Sequence, residues 1–161
     1  MKIPVAQPQV FGSQPYVLLR EEQAQNVAAG TFLFGDWRTR TLNNEVSDLQ
    51  GICALASSQI TLSSGDYIAR ITCPAYIVDR NQARLQDVTN TVTLLLGSSM
   101  YGASSGLSVC VSRISGYFTV SGAMLIEVQH RCQTTEATYG LGVQANFGTE
   151  VYTVAEFWKV A

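Results

Sequence analysis

The single histidine, His130, is the side chain best suited to act as a general base near neutral pH. A Ser-His-Asp or Cys-His arrangement would have to use it, yet it stands beside Arg131 in an alternating apolar run. It shares a face of this run with Ile126 and Val128, so we expect its side chain to lie toward the core. Glu21 and Glu22 form the only adjacent acidic pair, and we expect a solvated turn there rather than an acid–base dyad. No phosphate-binding G-x-x-x-x-G-K and no H-E-x-x-H zinc motif occurs. The sequence therefore predicts a protein that is not an enzyme.

Four cysteines, Cys53, Cys73, Cys110 and Cys132, are spread along the chain. They form no C-x-x-C pair of the kind that binds zinc, and they are too few for a disulfide scaffold. We expect all four to be reduced, and most to be buried. No Asp-x-Asp cluster offers calcium the convergent oxygens that it needs. The sequence thus predicts no metal site and no cofactor.

Two loops combine small residues with one tyrosine each, namely residues 97–106 with Tyr101 and residues 133–140 with Tyr139. Tyrosine among small polar residues is typical of adaptable recognition surfaces. The same composition also suits ordinary long turns. Both interpretations stay open at this point, and Tyr101 and Tyr139 are the candidate recognition residues.

Charge is scarce in these 161 residues, at 14% of the chain against 47% hydrophobic residues. The chain has ten basic and twelve acidic residues, so it has no excess of basic residues from which a nucleic-acid-binding surface could be built. No stretch approaches the roughly 20 apolar residues that cross a bilayer, and prolines interrupt the N-terminal segment, so we expect neither a membrane span nor a secretory signal. The low charge favours a protein that buries surface against partners.

Apolar residues recur at a spacing of two in short runs separated by Gly, Ser, Asn and Asp, which is the pattern of β-strands. About ten strands in one domain predict a sandwich or barrel. Turns are expected at residues 63–66 and at Ser115-Gly116, where glycines would allow the chain to reverse. The predicted strands are Tyr16–Arg20, Thr31–Phe34, Thr39–Leu42, Ile52–Leu55, Gln59–Leu62, Tyr67–Cys73, Thr91–Leu96, Leu107–Ile114, Tyr117–Val120, Met124–Cys132 and Val151–Val160.

The first and last predicted strands carry apolar residues on both faces. An antiparallel strand in a sandwich has one face on its own core, so the other face must be covered by something else. We expect another copy of the chain to cover it, although the chain's own loops are an open alternative. The predicted interface residues are Tyr16, Leu18, Tyr152, Val154, Phe157 and Trp158.

Residues 1–15 differ from the rest of the chain, because they hold three of the four prolines and only one charged side chain, Lys2. Prolines favour an extended segment, and an apolar segment gains free energy by burying its side chains. The sequence predicts an extended docking arm over residues 1–15 followed by a single domain over residues 16–161. The arm would dock through Ile3, Val5, Val10 and Phe11.

Several short motifs follow one another in a characteristic order: W-R-T-R-T-L-N at residues 37–43, I-T-L-S-S-G-D-Y at residues 60–67, and V-Y-T-V-A-E-F-W-K-V at residues 151–160. This ordered set resembles the C1q/TNF-like domains of bacteriophage virion proteins over about residues 16–161. The resemblance implies an all-β, antiparallel jelly-roll sandwich. It further implies a homotrimer whose first and last strands face the threefold axis.

From this resemblance we expect a bacteriophage virion structural protein made in the host cytoplasm and carried on the virion surface. It would be a trimeric attachment module of the capsid decoration, head fibre or tail fibre type, docked to other virion proteins through its arm and contacting a host-surface receptor or glycan. Three alternatives stay open: the receptor-binding tip of a tail fibre, a soluble C1q/TNF-like ligand module, and a carbohydrate-degrading tip. The last would need a pair of placed carboxylates.

Overall fold

Strands and their connections make up the whole of residues 14–161, the part of the chain that the computed structural model describes. The predicted arm residues Ile3, Val5, Val10 and Phe11 lie outside this part. No helix is present within it, and so none long and apolar enough to cross a membrane. The strands are β1 Tyr16–Gln23, β2 Arg38–Thr39, β3 Asn44–Asp48, β4 Cys53–Ala56, β5 Gln59–Leu62, β6 Gly65–Tyr76, β7 Asp79–Asp87, β8 Val92–Leu96, β9 Met100–Gly102, β10 Val109–Val120, β11 Ile126–Cys132 and β12 Glu150–Lys159.

The strands form two antiparallel sheets that face each other. One sheet has the order β10-β6-β12-β1-β3, and the other has the order β4-β5-β11-β7-β8, with β2 added to β11 and β9 added to β7. The first and last strands, β1 and β12, are neighbours inside the five-stranded sheet. This arrangement is an antiparallel jelly-roll sandwich, and the predicted fold class is confirmed.

Alternation along the strands places the core. Tyr67, Ala69, Ile71 and Cys73 of β6 are fully buried between the sheets, whereas Ile68 of the same strand points outward and is 42% exposed. This is the period-two pattern of a strand with one dry face. The corresponding inward set of β11 is Ile126, Val128, His130 and Cys132.

Strand β7 was not predicted, because Asp79–Asp87 is a polar sequence with few β-forming residues. It is nevertheless a central strand, paired with β11 over seven residue pairs and with β8 and β9 on its other side. Its apolar contribution to the core is confined to Ala83 and Leu85. Backbone pairing on both sides therefore overrides the weak local preference. The short edge strand β3, likewise polar, was also not predicted.

Several predicted features are wrong. Glu21 and Glu22 do not form a solvated turn, because both lie in β1 and Glu21 is fully buried. The predicted strand Thr39–Leu42 does not extend beyond Thr39, since β2 is Arg38–Thr39. Ser115-Gly116 is not a turn but lies inside the continuous strand β10, opposite Arg70 and Ala69 of β6. Gly116 occupies this position because a Cβ there would lie 2.8 Å from the Leu95 side chain. The predicted strand Thr31–Phe34 contains only an isolated bridge between Phe32 and Glu136.

The sandwich has two ends, which the pairing defines. At the entry end, β1 begins with Tyr16, which lies opposite Trp158 of β12. At the far end, β6 finishes at Tyr76 and the chain turns into β7 at Asp79. Because β6 has 12 residues, the two ends are about 36 Å apart along it.

Candidate functional site

A continuous row of apolar side chains crosses the outer face of the five-stranded sheet at the entry end. Strand register places Tyr16 opposite Trp158, Trp158 opposite Ile68, and Ile68 opposite Tyr117. The side chains of Ile68 and Tyr117 are 42% and 57% exposed, and those of Tyr16 and Trp158 are half-buried. We call these four side chains the entry-end row. A contiguous apolar band of this kind is a candidate interaction surface.

Polar groups beside the row fix its geometry. The Tyr16 hydroxyl donates a 2.8 Å hydrogen bond to Glu156 Oε1, and the Tyr16 and Trp158 rings pack with their centroids 5.2 Å apart. The Arg70 guanidinium lies 5.7 Å from the Trp158 ring centroid. Burial and the hydrogen bond to Glu156 raise the pKa of Tyr16 to about 12, so its hydroxyl remains protonated and a donor.

Four of the six predicted interface residues share this outer face, namely Tyr16, Leu18, Val154 and Trp158. Phe157 does not, because it points between the sheets and is fully buried in the core. Tyr152 is also withdrawn from the surface: its hydroxyl donates to the Val27 carbonyl at 2.6 Å, and its ring packs against Gly142. Tyr152 is therefore covered by the chain's own loops, which is the alternative that the sequence analysis left open.

The two candidate recognition tyrosines lie at the far end. Tyr101 is in β9, opposite Arg80 of β7, and is 65% exposed. Tyr139 contacts Tyr76 edge-on, with ring centroids 6.4 Å apart. Their separation of 38 positions in the sequence gives no sign that they share one end of the molecule. Among the exposed apolar side chains of the connecting loops are Phe34, Leu107 and Phe147, at 63%, 95% and 96% exposure.

Tyr101 also forms one wall of a groove of about 910 Å³ on the outer face of the seven-stranded sheet. We call it the far-end groove. Arg80, Gln82 and Arg131 form its floor on β7 and β11, and the opposite wall comes from Phe34, Gly35 and Trp37. Sequence reasoning missed all of these residues except Tyr101. The alternation of arginine and glutamine in β7 was the available signal, but it required knowing that β7 is a strand.

A second group of polar residues lies inside the sandwich. Arg40 and Glu21 are both fully buried, with Arg40 Nη2 at 3.2 Å from Glu21 Oε2. His130 is also fully buried, as its alternation pattern predicted, and its Nε2 lies 3.0 Å from Asn81 Oδ1. Burial and the charge of Arg40 lower the pKa of His130 well below its usual value, so the ring is neutral near pH 7.

Residues 102–106 read G-A-S-S-G and so match the spelling of a nucleophile elbow, G-x-S-x-G. That motif requires a sharp turn from a strand into a helix, whereas Ser104 lies in an exposed loop between β9 and β10. Its backbone N–H donates to Asp79 Oδ1 at 2.9 Å, and His130 is enclosed in the core. This arrangement does not form a Ser-His pair. Within residues 14–161, no group of three or more His, Cys, Asp or Glu side chains is placed to hold a metal ion.

The four cysteines are separate free thiols. Cys53 is half-buried and the other three are buried. Burial raises the pKa of Cys53 and of Cys73 to about 12, and that of Cys132 to about 11. Thiols with such pKa values are poor nucleophiles and poor metal ligands at neutral pH.

No protein-family model matches the chain, and no curated protein does either. Solved structures do match. The globular domain of zebrafish complement 1qA protein aligns with a TM-score of 0.58 at 13% identity, covering 92% of this chain and 98% of the zebrafish chain. Murine APRIL at pH 5.0 aligns with a TM-score of 0.59 at 12% identity, covering 91% and 99%, and murine APRIL at pH 8.0 with a TM-score of 0.55 at 10% identity, covering 89% and 98%. The chain therefore has the C1q/TNF-like jelly-roll fold.

Proposed function

We propose that this chain is a bacteriophage virion protein that assembles as a homotrimer and acts as a non-enzymatic surface attachment module, of the capsid decoration, head fibre or tail fibre type. The observation that carries the proposal is the entry-end row, in which four outward side chains from four adjacent strands form one apolar band. The resemblance of the ordered motifs to phage virion proteins supports the virion location.

The entry-end row favours self-association for a physical reason. Exposed aromatic and aliphatic side chains gain free energy when they leave water, and a closed symmetric assembly buries the same patch on every subunit. Arg70 and Glu156 lie beside the row, so a partner subunit also meets one charge of each sign. Charges placed in this way set the register of an interface.

The two ends of the sandwich suit an attachment module. The segment that precedes Tyr16 joins the sandwich at the entry end, while the groove and both recognition tyrosines are at the far end, about 36 Å away. A module docked through residues 1–15 therefore presents its far end outward. This separation between a docking end and a recognition end supports a role in attachment and not in catalysis.

Mass measurement of the full chain tests the assembly. Light scattering after size-exclusion chromatography is expected to give three times the 17.5 kDa subunit mass. Ile68→Asp should dissociate the trimer, because it places a charge in the middle of the buried row. The matched control is Val92→Asp, an exposed valine of the other sheet at 50% exposure. A stable monomer at micromolar concentration, or equal dissociation by Val92→Asp, would refute the trimer.

Immunoblotting of gradient-purified particles from the phage that encodes this chain tests the virion location. The protein is expected to be present in intact particles, and deletion of residues 1–14 is expected to leave a folded trimer that no longer incorporates. Protein found only free in the lysate would refute the virion role and would favour a soluble ligand module. Gold-labelled antibody on intact particles then assigns it to the capsid or to the tail.

A further inference from the structure

We propose that the far-end groove is a binding site for an acidic saccharide, a sugar unit that carries a carboxylate or a phosphate. The inference deepens the proposed attachment function by naming the ligand class. It rests on that function only for the source of the sugar, a host-surface glycan. The geometry of the groove itself depends neither on trimer formation nor on the virion location.

The floor of the groove is a flat patch of alternating polar side chains. Arg80 and Gln82 are successive outward residues of β7, and Arg131 of β11 lies opposite Gln82. Tyr101 rises on one side, because β9 pairs with β7 at Arg80. On the other side, residues 34–37 run outside β11, where the Gly35 N–H reaches the Cys132 carbonyl at 3.4 Å.

Aromatic rings wall the groove on both sides. Phe34 and Tyr101 are 63% and 65% exposed, an unusual placement for a phenylalanine in particular. Flat aromatic faces offer apolar area to the C–H faces of a sugar ring, and a tyrosine adds a hydroxyl at its tip. Trp37 on the Phe34 side is held in place by Arg84, whose guanidinium lies 4.2 Å from the ring centroid.

The charged side chains that line the groove are both positive. No carboxylate lines it, whereas Arg80 and Arg131 both do. Within residues 14–161 neither arginine belongs to an ion pair, since the ion pairs there are Arg20–Glu22 and Arg40–Glu21. Asp79, next to Arg80 in sequence, does not line the groove. Its carboxylate accepts hydrogen bonds from the Thr134 hydroxyl and the Ser104 N–H, and these bonds, with the Arg80 charge, lower its pKa.

Guanidinium groups bind carboxylates and phosphates through paired, charge-assisted hydrogen bonds. An anionic group on the ligand therefore complements the floor. Gln82, Gln133 and Ser99 add amide and hydroxyl groups along the same surface, which suit the hydroxyls of a sugar. Two arginines in a chain of net charge −2 are too few to track a nucleic-acid backbone. The volume falls in the usual range for small-ligand sites.

Hydrogen bonds within the protein hold part of the groove in place. The Phe34 N–H donates to the Thr135 hydroxyl at 3.0 Å, and Arg80 Nη1 donates to Gln133 Oε1 at 2.9 Å. The first bond holds the backbone at Phe34 and the second holds the Arg80 guanidinium, which lowers the entropy that these groups lose on binding.

The test begins with the full-length protein on a microarray of bacterial surface saccharides, grouped as neutral, carboxylated and phosphorylated. Binding is expected to the acidic groups and not to the neutral one, and the two acidic groups distinguish a carboxylate ligand from a phosphate ligand. Calorimetry with the best-bound free oligosaccharide then gives a monovalent affinity. Arg131→Gln and Tyr101→Ala should each weaken it by roughly ten- to a hundredfold, and 0.5 M NaCl should weaken binding by the wild-type protein.

Matched controls separate the groove from its surroundings. Arg113→Gln removes an exposed arginine of the other sheet, and Phe147→Ala removes an exposed aromatic side chain that does not line the groove. Both should bind as the wild type does. All four side chains are exposed, so the variants are expected to keep their melting temperature.

Three results would overturn the inference: binding to neutral saccharides only, no binding to any acidic saccharide, or equal loss of affinity in the control variants. Capture of an acidic peptide from a peptide array, with no saccharide bound, would likewise reject it. The mass of each variant is measured on the same samples. A monomer that still binds acidic sugar therefore refutes the trimer and supports the binding site in the groove. A trimer that binds no acidic sugar supports the trimer and refutes the binding site.

Discussion

Arg40 and Glu21 form an ion pair inside the sandwich, with Arg40 Nη2 at 3.2 Å from Glu21 Oε2 and neither side chain exposed to solvent. Arg40 Nε donates to the Thr153 hydroxyl at 2.8 Å, and Thr153 in turn donates to the same Glu21 oxygen at 2.9 Å. The Pro74 and Leu141 carbonyls accept further hydrogen bonds from Arg40. The pair therefore ties β1 and β12 to the segment that leads into β3.

Breaking this pair should be costly. We expect Arg40→Met to lower the free energy of unfolding by about 3–5 kcal/mol, because it leaves Glu21 buried without its counter-charge. Urea denaturation of the subunit measures the change. The double variant Arg40→Met/Glu21→Leu should recover much of the loss, since no unpaired charge remains. A double variant as unstable as the single one would contradict this account.

The stability of the subunit should fall as the pH drops below about 6.5, because the pKa of His130 is far lower in the folded chain than in the unfolded chain. Protonation of His130 then favours the unfolded state. The stability contributed by neutral His130 is fully present above pH 6.5, and it is lost as the pH falls from 6.5 to the pKa of His130 in the folded chain. The slope is at most about 1.4 kcal/mol per pH unit for one proton. Denaturation at pH 7.5, 6.0 and 5.5 measures it.

The control for that prediction is His130→Gln, which keeps an amide near Asn81 and removes the titrating ring. Glu21 has the opposite effect on the pH dependence. Desolvation by burial raises its pKa in the folded chain despite the Arg40 charge, so its contribution to the free energy of unfolding grows as the pH falls. Glu21 is present in both proteins, and the difference between the two slopes isolates His130. Identical slopes would exclude His130 as the titrating group.

The adjacent residues Phe157 and Trp158 should give opposite phenotypes. Phe157 is fully buried in the core against Phe118, with ring centroids 6.2 Å apart, so Phe157→Ala should lower the subunit's unfolding free energy by about 3–5 kcal/mol. Trp158 belongs to the entry-end row, so Trp158→Ala should mainly weaken assembly. Denaturation of the dissociated subunit and sedimentation velocity measure the two effects. If both variants lose subunit stability equally and keep the trimer mass, the assignment of Phe157 to the core and of Trp158 to the subunit interface is wrong.

Gly142 should not tolerate a side chain. It has φ of +152°, and a Cβ there would overlap the Tyr152 ring. Gly142→Ala is therefore expected to destabilise the fold by about 1–3 kcal/mol. Gly148 is the matched control in the same loop, because no atom lies within 4 Å of its Cβ position. Thermal melting compares the two variants, and equal melting temperatures would count against the predicted clash.

The thiols should react slowly in the native protein. With pKa values of about 12 for Cys53 and Cys73, almost no thiolate exists at pH 8. Iodoacetamide is expected to label Cys53 first, since it alone is half-buried, and all four cysteines after denaturation. Intact mass counts the labelled groups. Fewer than four labels on the denatured, unreduced chain would show a disulfide.

The extent to which strand positions and side-chain directions could be predicted from the sequence differs between strands. The spacing in Asp66–Cys73 predicts that Tyr67, Ala69, Ile71 and Cys73 share one face, and the structure places all four in the core. This was predictable because side-chain direction in a strand depends only on local spacing. Asp79–Asp87 has no such signal, and its pairing with β11 made it a strand. Val151–Val160 has two apolar faces, and its spacing does not say which of them lies in the core. Phe157 was predicted at the interface but lies in the core, and Tyr152 is covered by loops of the same chain.

The sequence by itself determined the all-β class and the inward direction of His130, since both follow from a period of two along one strand. It did not determine which of the two apolar faces of the first and last strands points outward. Only the tertiary structure decided which strands are neighbours. The entry-end row exists because β1, β12, β6 and β10 lie side by side, and the far-end groove exists because β9 and β11 flank β7. Spacing within a strand carries no record of strand order, so residues as distant as Phe34, Tyr101 and Arg131 meet only once the sheets have formed.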